Sequence, residues 1–197
     1  MRRFLLALAL SSGTACMCMA ADERAATKQE ANAATESVQF DGYVLDLAWQ
    51  GANPGETIKE FIPAGETLDT WTRLASIREY TELNDPQAAV GALVRQLKQK
   101  YPDSRSAIIE NPTTGEVIVD FVLWPPDASF VEFNVFKYGR KPEGGMIAEQ
   151  YALRAYQDQE AFLKGLRPVR ERLVELMTQG LQPGNAPLEV KTGAQDE

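Results

Sequence analysis

The chain has 197 residues, 44% of them hydrophobic, and carries a formal charge of −8, with 28 acidic residues against 20 basic ones and no histidine. That length suits one globular domain, and the acidic balance disfavours nucleic acid and anionic membrane surfaces, both of which attract basic patches. The lack of imidazole removes the commonest general base at neutral pH and the commonest metal ligand.

Residues 1–20 read as a signal peptide: Arg2 and Arg3 supply the positive start, Phe4 to Leu10 the apolar core, and Cys18, Met19 and Ala20 the cleavage site. Cleavage there starts the mature chain at Ala21, takes the charge to −10 and removes Cys16 and Cys18, the two cysteines of the sequence. Disulfides, thiol catalysis and the usual zinc sites are then not expected. Ser12, Gly13, Thr14, Ala15 and Cys16 also form a loose lipobox, with Gly13 where such motifs carry leucine. A lipid anchor at Cys16 is therefore the alternative, tethering the chain to a bilayer surface. No other apolar run approaches the roughly 20 residues of a spanning helix, so no spanning helix is expected in the mature chain, whose compartment reads as periplasmic or secreted.

Residues 21–36 contain no large apolar side chain and read as a flexible leader. The folded domain is expected over 37–180. It opens with Phe40, Tyr43, Leu45, Leu47 and Trp49 recurring as in a strand, broken at Gly51 to Gly55, with Thr57 to Ile62 returning as a hairpin partner. Leu68, Trp71 and Leu74 predict a short turn of helix, followed by a strand to Tyr80. Asp85 and Pro86 pair an N-cap acceptor with a residue suited to the first helical position. Ala89, Val90, Leu93, Val94, Leu97 and Tyr101 then make one apolar stripe, and Pro102 ends it.

Four antiparallel strands are predicted between Ser106 and Tyr156. Val117 to Trp124 is apolar except for Asp120, so it is expected to be covered on both faces. With a four-residue loop at Pro125 to Ala128, Asp120 falls opposite Phe133 and Glu132 opposite Phe121, which sends the two carboxylates to opposite faces. Asp158 caps a final helix that Pro168 is expected to kink or split and that ends at Gly180. Residues 181–197 read as a disordered tail.

Motifs for chemistry are missing. There is no G-x-S-x-G, no S-x-x-K pair, no P-loop and no EF-hand spacing. The chain therefore reads as not an enzyme, with no cofactor. Lys137, Tyr138, Arg140 and Lys141 form a local basic cluster on an acidic chain and are the candidate binding residues, suited to an anionic partner; the same residues also suit a solvated hairpin tip whose lysines discourage edge pairing.

Phe61, Pro63, Gly65, Glu66, Thr67, Leu68 and Trp71, followed by a capped helix, three hairpin strands and a long last helix, give the region from about Ser37 to Gly180 a resemblance. It resembles the small domain shared by the photosystem accessory protein PsbP and the bacterial envelope protein DcrB. The resemblance implies an antiparallel sheet between helical layers and a non-catalytic accessory or binding role, and it carries over no functional residue. The expected fold is α+β, an antiparallel sheet of about six or seven strands with helices on both faces as an α/β/α sandwich. The expected role is that of an exported, non-enzymatic envelope accessory or binding protein, whose partner is another envelope protein. The alternative is a carboxylate-based enzyme or small-ligand carrier with a pocket near the central strands, into which at least two of Asp120, Glu132 and Glu149 converge.

Overall fold

The structure, a computed structural model, describes residues 36–185. The expected signal peptide, the cleavage site, Cys16 and nearly all of the expected leader lie outside the described residues. The first hairpin is tighter than the apolar spacing suggests: β1 (Ser37–Phe40) turns at Asp41 and Gly42, both at positive φ, into β2 (Tyr43–Asn53). An Asp-Gly pair supplies the left-handed conformations that a two-residue hairpin loop needs. β3 (Glu56–Ile62) and β4 (Arg73–Tyr80) follow, joined by a loop of turns in which no helix forms.

Helix α1 (Pro86–Lys100) starts as expected, with the Asp85 carboxylate accepting from the Ala88 N–H at 3.0 Å. β5 (Arg105–Glu110), β6 (Val117–Leu123), β7 (Val131–Arg140) and β8 (Met146–Ala155) are the four predicted neighbours. Helix α2 (Gln159–Gln179) runs unbroken through Pro168. Past Gly180, within the expected tail, β9 (Gln182–Pro183) pairs with β1.

The strands make one nine-stranded sheet in the order β5-β6-β7-β8-β4-β3-β2-β1-β9, antiparallel at every pairing. The expected sandwich is wrong. With 43% strand and 24% helix, the described chain is a curled half-barrel whose two helices cannot form layers over nine strands. Both helices meet the sheet chiefly at β6 and β7. The sheet buries its own inner side by curling: the rings of Phe40 on β1 and Tyr151 on β8 lie 4.5 Å apart, although β2, β3 and β4 separate those strands in the ladder. Leu166, Leu173, Val174 and Met177 of α2 fill the hollow, in one cluster with Val38, Phe61, Ala75, Ile118, Phe133 and Val135.

β6 behaves as its run of apolar residues predicts. Ile118, on the α2 side, is 7% exposed and Val119, on the other, 0%. The register with β7 pairs Asp120 with Val135 and Leu123 with Glu132, two residues from the expected alignment. An even slip preserves which face each side chain takes, so the two carboxylates do point to opposite sides.

Candidate functional site

Alternation along β7 sends Val131, Phe133, Val135 and Lys137 toward α2, and Glu132, Asn134, Phe136 and Tyr138 to the opposite face. On that opposite face Glu132 and Asn134 are buried, which is costly unless their polar atoms are satisfied. They are satisfied by a directed row that crosses three strands. The Ser76 hydroxyl donates to Gln150 Oε1 at 2.8 Å, Gln150 Nε2 to Asn134 Oδ1 at 2.7 Å, and Asn134 Nδ2 to Glu132 Oε1 at 2.9 Å. Arg154 closes the row, placing Nε and Nη2 on Glu132 Oε2 at 2.8 and 2.5 Å.

Every amide and hydroxyl in the row donates toward the one carboxylate, and so spreads its charge. The Arg154 guanidinium is stacked 3.9 Å from the Trp71 ring and 4.3 Å from that of Phe130, contacts worth about 1–2 kcal/mol each when desolvated. The Tyr156 hydroxyl bonds the Trp71 carbonyl at 3.1 Å and so pins the loop that carries the indole. Burial pushes the Tyr101 phenol up, and the Glu132 charge nearby adds to that while Arg154 opposes it. Tyr101 also lines a surface hollow with Ser104, Trp124 and Pro126. At about 140 Å³, it is smaller than the roughly 300 Å³ at which pockets begin to hold a drug-sized ligand.

The three carboxylates singled out in the sequence do not converge. Asp120 is held by Arg170 on the α2 side, whose Nε and Nη2 donate to its two oxygens at 2.7 and 2.6 Å. Glu149 accepts from the Leu181 N–H at 3.0 Å and lies 3.5 Å from Lys137 Nζ. Glu132 lies on the other face with Arg154. Asp120 and Glu149 share a face but sit on β6 and β8 with β7 between and two residues out of line along the strands, about 12 Å apart. Among the described residues no group of three or more acidic or sulfur side chains is placed to hold a metal ion.

The basic cluster is likewise dispersed. Lys137 faces the α2 side, 3.4 Å from Glu116 and bonded to the Thr178 carbonyl at 3.3 Å. Tyr138 is buried on the opposite face. Arg140 donates to the Asn84 carbonyl at 2.8 Å, and Lys141 pairs with Glu79 at 2.9 Å and Glu143 at 3.1 Å. Those two carboxylates hold the Lys141 ammonium above its ordinary range. Arg140 and Lys141 share the end of a hairpin; Lys137 and Tyr138 do not join them on one surface. The row ending in Arg154 escaped the sequence reading, although Glu132 and Asn134, two apart in an apolar strand, were its visible trace.

Burial pushes the Tyr138 phenol far above its ordinary value, with the Tyr80 phenol adding to the effect, and burial does the same to Tyr151, where Arg73 partly offsets it. In the unfolded chain these phenols ionise near pH 10, so above that pH the unfolded state sheds protons that the folded state keeps, and stability falls as pH rises. In an alkaline titration, tyrosinate absorbance from Tyr138 and Tyr151 is expected to appear together with the loss of circular dichroism. Full tyrosinate absorbance from a chain that is still folded would contradict it.

A protein-family model matches residues 32–180, and the chain belongs to that family, an uncharacterised one. No curated protein matches the chain.

Proposed function

We propose that this is an exported, non-enzymatic protein that binds or assists another envelope component, in the periplasm or outside the cell. The observation that carries the reading is the pairing of the acids on the central strands. Asp120, Glu132 and Glu149 each lie against a basic side chain, Arg170, Arg154 and Lys137 in turn, an arrangement that fixes the carboxylates in place where proton transfer would need one of them free. Apolar groups meanwhile remain in the open at one end of the sheet: Ile108 is 48% exposed, Ile109 47% and Trp124 36%.

The test is fractionation of cells making the full chain, with mass spectrometry of its N-terminus and a photoreactive residue at Trp124. The expected result is a chain outside the cytoplasm that begins at Ala21 and gives one recurrent adduct with an envelope protein. An acylated Cys16 at the N-terminus would replace soluble export by the lipid anchor. A cytoplasmic chain with Met1 intact, or turnover of a substrate by the purified protein, would overturn the reading.

A further inference from the structure

The two edges of the sheet differ. At one, β9 is two residues long and includes Pro183, whose nitrogen carries no hydrogen, so the ladder ends there. At the other, β5 pairs with β6 through six consecutive residues without a bulge, and its outer side has no described partner. β5 carries neither lysine, proline nor bulge, three of the usual safeguards of a free edge. It exposes one isoleucine on each face, and its terminal charges, Arg105 and Glu110, cancel on a chain that is otherwise acidic.

We propose that β5 pairs antiparallel with β5 of a second copy of this chain, across a two-fold axis at Ile108. The backbone fixes that register. The Asn111 N–H donates to the Glu116 carbonyl of the β6 hairpin at 2.9 Å, so Ala107 and Ile109 also bond inward, and Ser106, Ile108 and Glu110 turn their N–H and C=O groups outward. With the axis at Ile108, Ile108 meets Ile108 of the second copy, Ser106 meets Glu110 in each direction, and about six backbone hydrogen bonds form.

Moving the axis to Ala107 puts Glu110 against Ser104, whose N–H is already given to the Tyr101 carbonyl and whose carbonyl already accepts from Lys98. Moving it to Ile109 puts Ser106 against Pro112, which has no N–H. The side chains agree with the central choice: the Ser106 hydroxyl faces a carboxylate, Arg105 faces Asn111, and no like charges are opposed. Because the far edge is closed, pairing at β5 stops at two chains. One strand pair buries less than the roughly 1,000 Å² of a lasting interface, so the association is reversible and depends on concentration.

The test uses the full chain with Cys16→Ser and Cys18→Ser, so that any introduced thiol stands alone. Paired Cα atoms at such a position lie about 5.5 Å apart, within disulfide reach. Ile108→Cys is therefore expected to give a disulfide dimer under mild oxidation. Ala107→Cys and Ile109→Cys, each roughly 8 Å from its own copy, are expected to stay monomeric. In sedimentation, the mass of the unmodified chain should rise toward twice that of one chain as concentration rises. Ile108→Lys should abolish that rise with its thermal melt unchanged, and reduced Ile108→Cys serves if the lysine variant fails to fold. Equal cross-linking at all three positions, a monomer at every concentration, a dimer that survives Ile108→Lys, or a β5 edge occupied only by a different protein would each overturn the proposal.

Discussion

Replacing Arg154 with alanine is expected to lower the unfolding free energy by about 3–5 kcal/mol, the usual cost of stranding one member of a buried ion pair. Both side chains of the pair are largely buried, with 14% of Arg154 and 11% of Glu132 exposed. The truncation removes both bonds to Glu132 Oε2 and leaves the carboxylate with the Asn134 amide as its remaining bonded donor among the described contacts. It also empties the slot between Trp71 and Phe130. The measurement is a urea titration, in which the midpoint should fall while the slope is kept. Combining Arg154→Met with Glu132→Gln should recover most of the loss, because the glutamine still accepts from Asn134 and the thioether refills the slot. A loss below about 1 kcal/mol for the alanine variant would mean that the pair behaves as an exposed one, and the row would then contribute little to holding the three strands together.

Gly145→Ala is expected to cost at least about 2 kcal/mol, for two reasons that a control can separate. Gly145 has φ of 83°, which strains any residue with a Cβ. That Cβ would also lie 2.3 Å from the Tyr80 carbonyl oxygen, backbone on the strand that Met146 pairs with. Gly42, with φ of 79° and open space around it, has only the first penalty. Gly42→Ala should therefore cost about 1 kcal/mol, and the excess at Gly145 measures the close approach of β8 to the end of β4. Equal losses in thermal melts of the two variants would show that the hairpin moves aside without cost.

Local signals in the sequence identified both described helices and the strands β3 to β8, but not the β1–β2 turn or β9, and the turn of helix expected at Leu68 to Leu74 does not form. Asp85 and Pro86 announced α1 through cap chemistry alone, and the run from Val117 to Leu123 announced a strand dry on both faces. The Asp41-Gly42 turn is hidden in the sequence because the apolar positions on either side of it fit a single strand. The register of β6 with β7 depended on the loop at 124–130, whose length is not written in strand periodicity, and only the evenness of the slip kept the faces right. The curl was illegible for a stronger reason. Nothing near Phe40 in sequence says that its ring meets Tyr151, since that contact arises from the twist accumulated over several strands. The basic cluster failed as a surface because adjacent residues of a strand point to opposite sides. The pairing of Glu132 with Arg154 joins residues 22 positions apart, and a single sequence holds no record of such a meeting.

Of the two described helices, the later in the chain is the one that occupies the hollow of the sheet. Until Leu173 and Met177 arrive, the curl of the sheet is all that covers Val38, Phe61 and Phe133, and the hollow between its strands is unfilled. The hollow therefore stays unfilled while β1 to β8 are being made, and its closure waits on residues that follow them in the chain. A ribosome stalled before Leu166 would release a sticky, protease-sensitive intermediate, whereas one that finishes Met177 would deliver a chain able to shut within a single cooperative step.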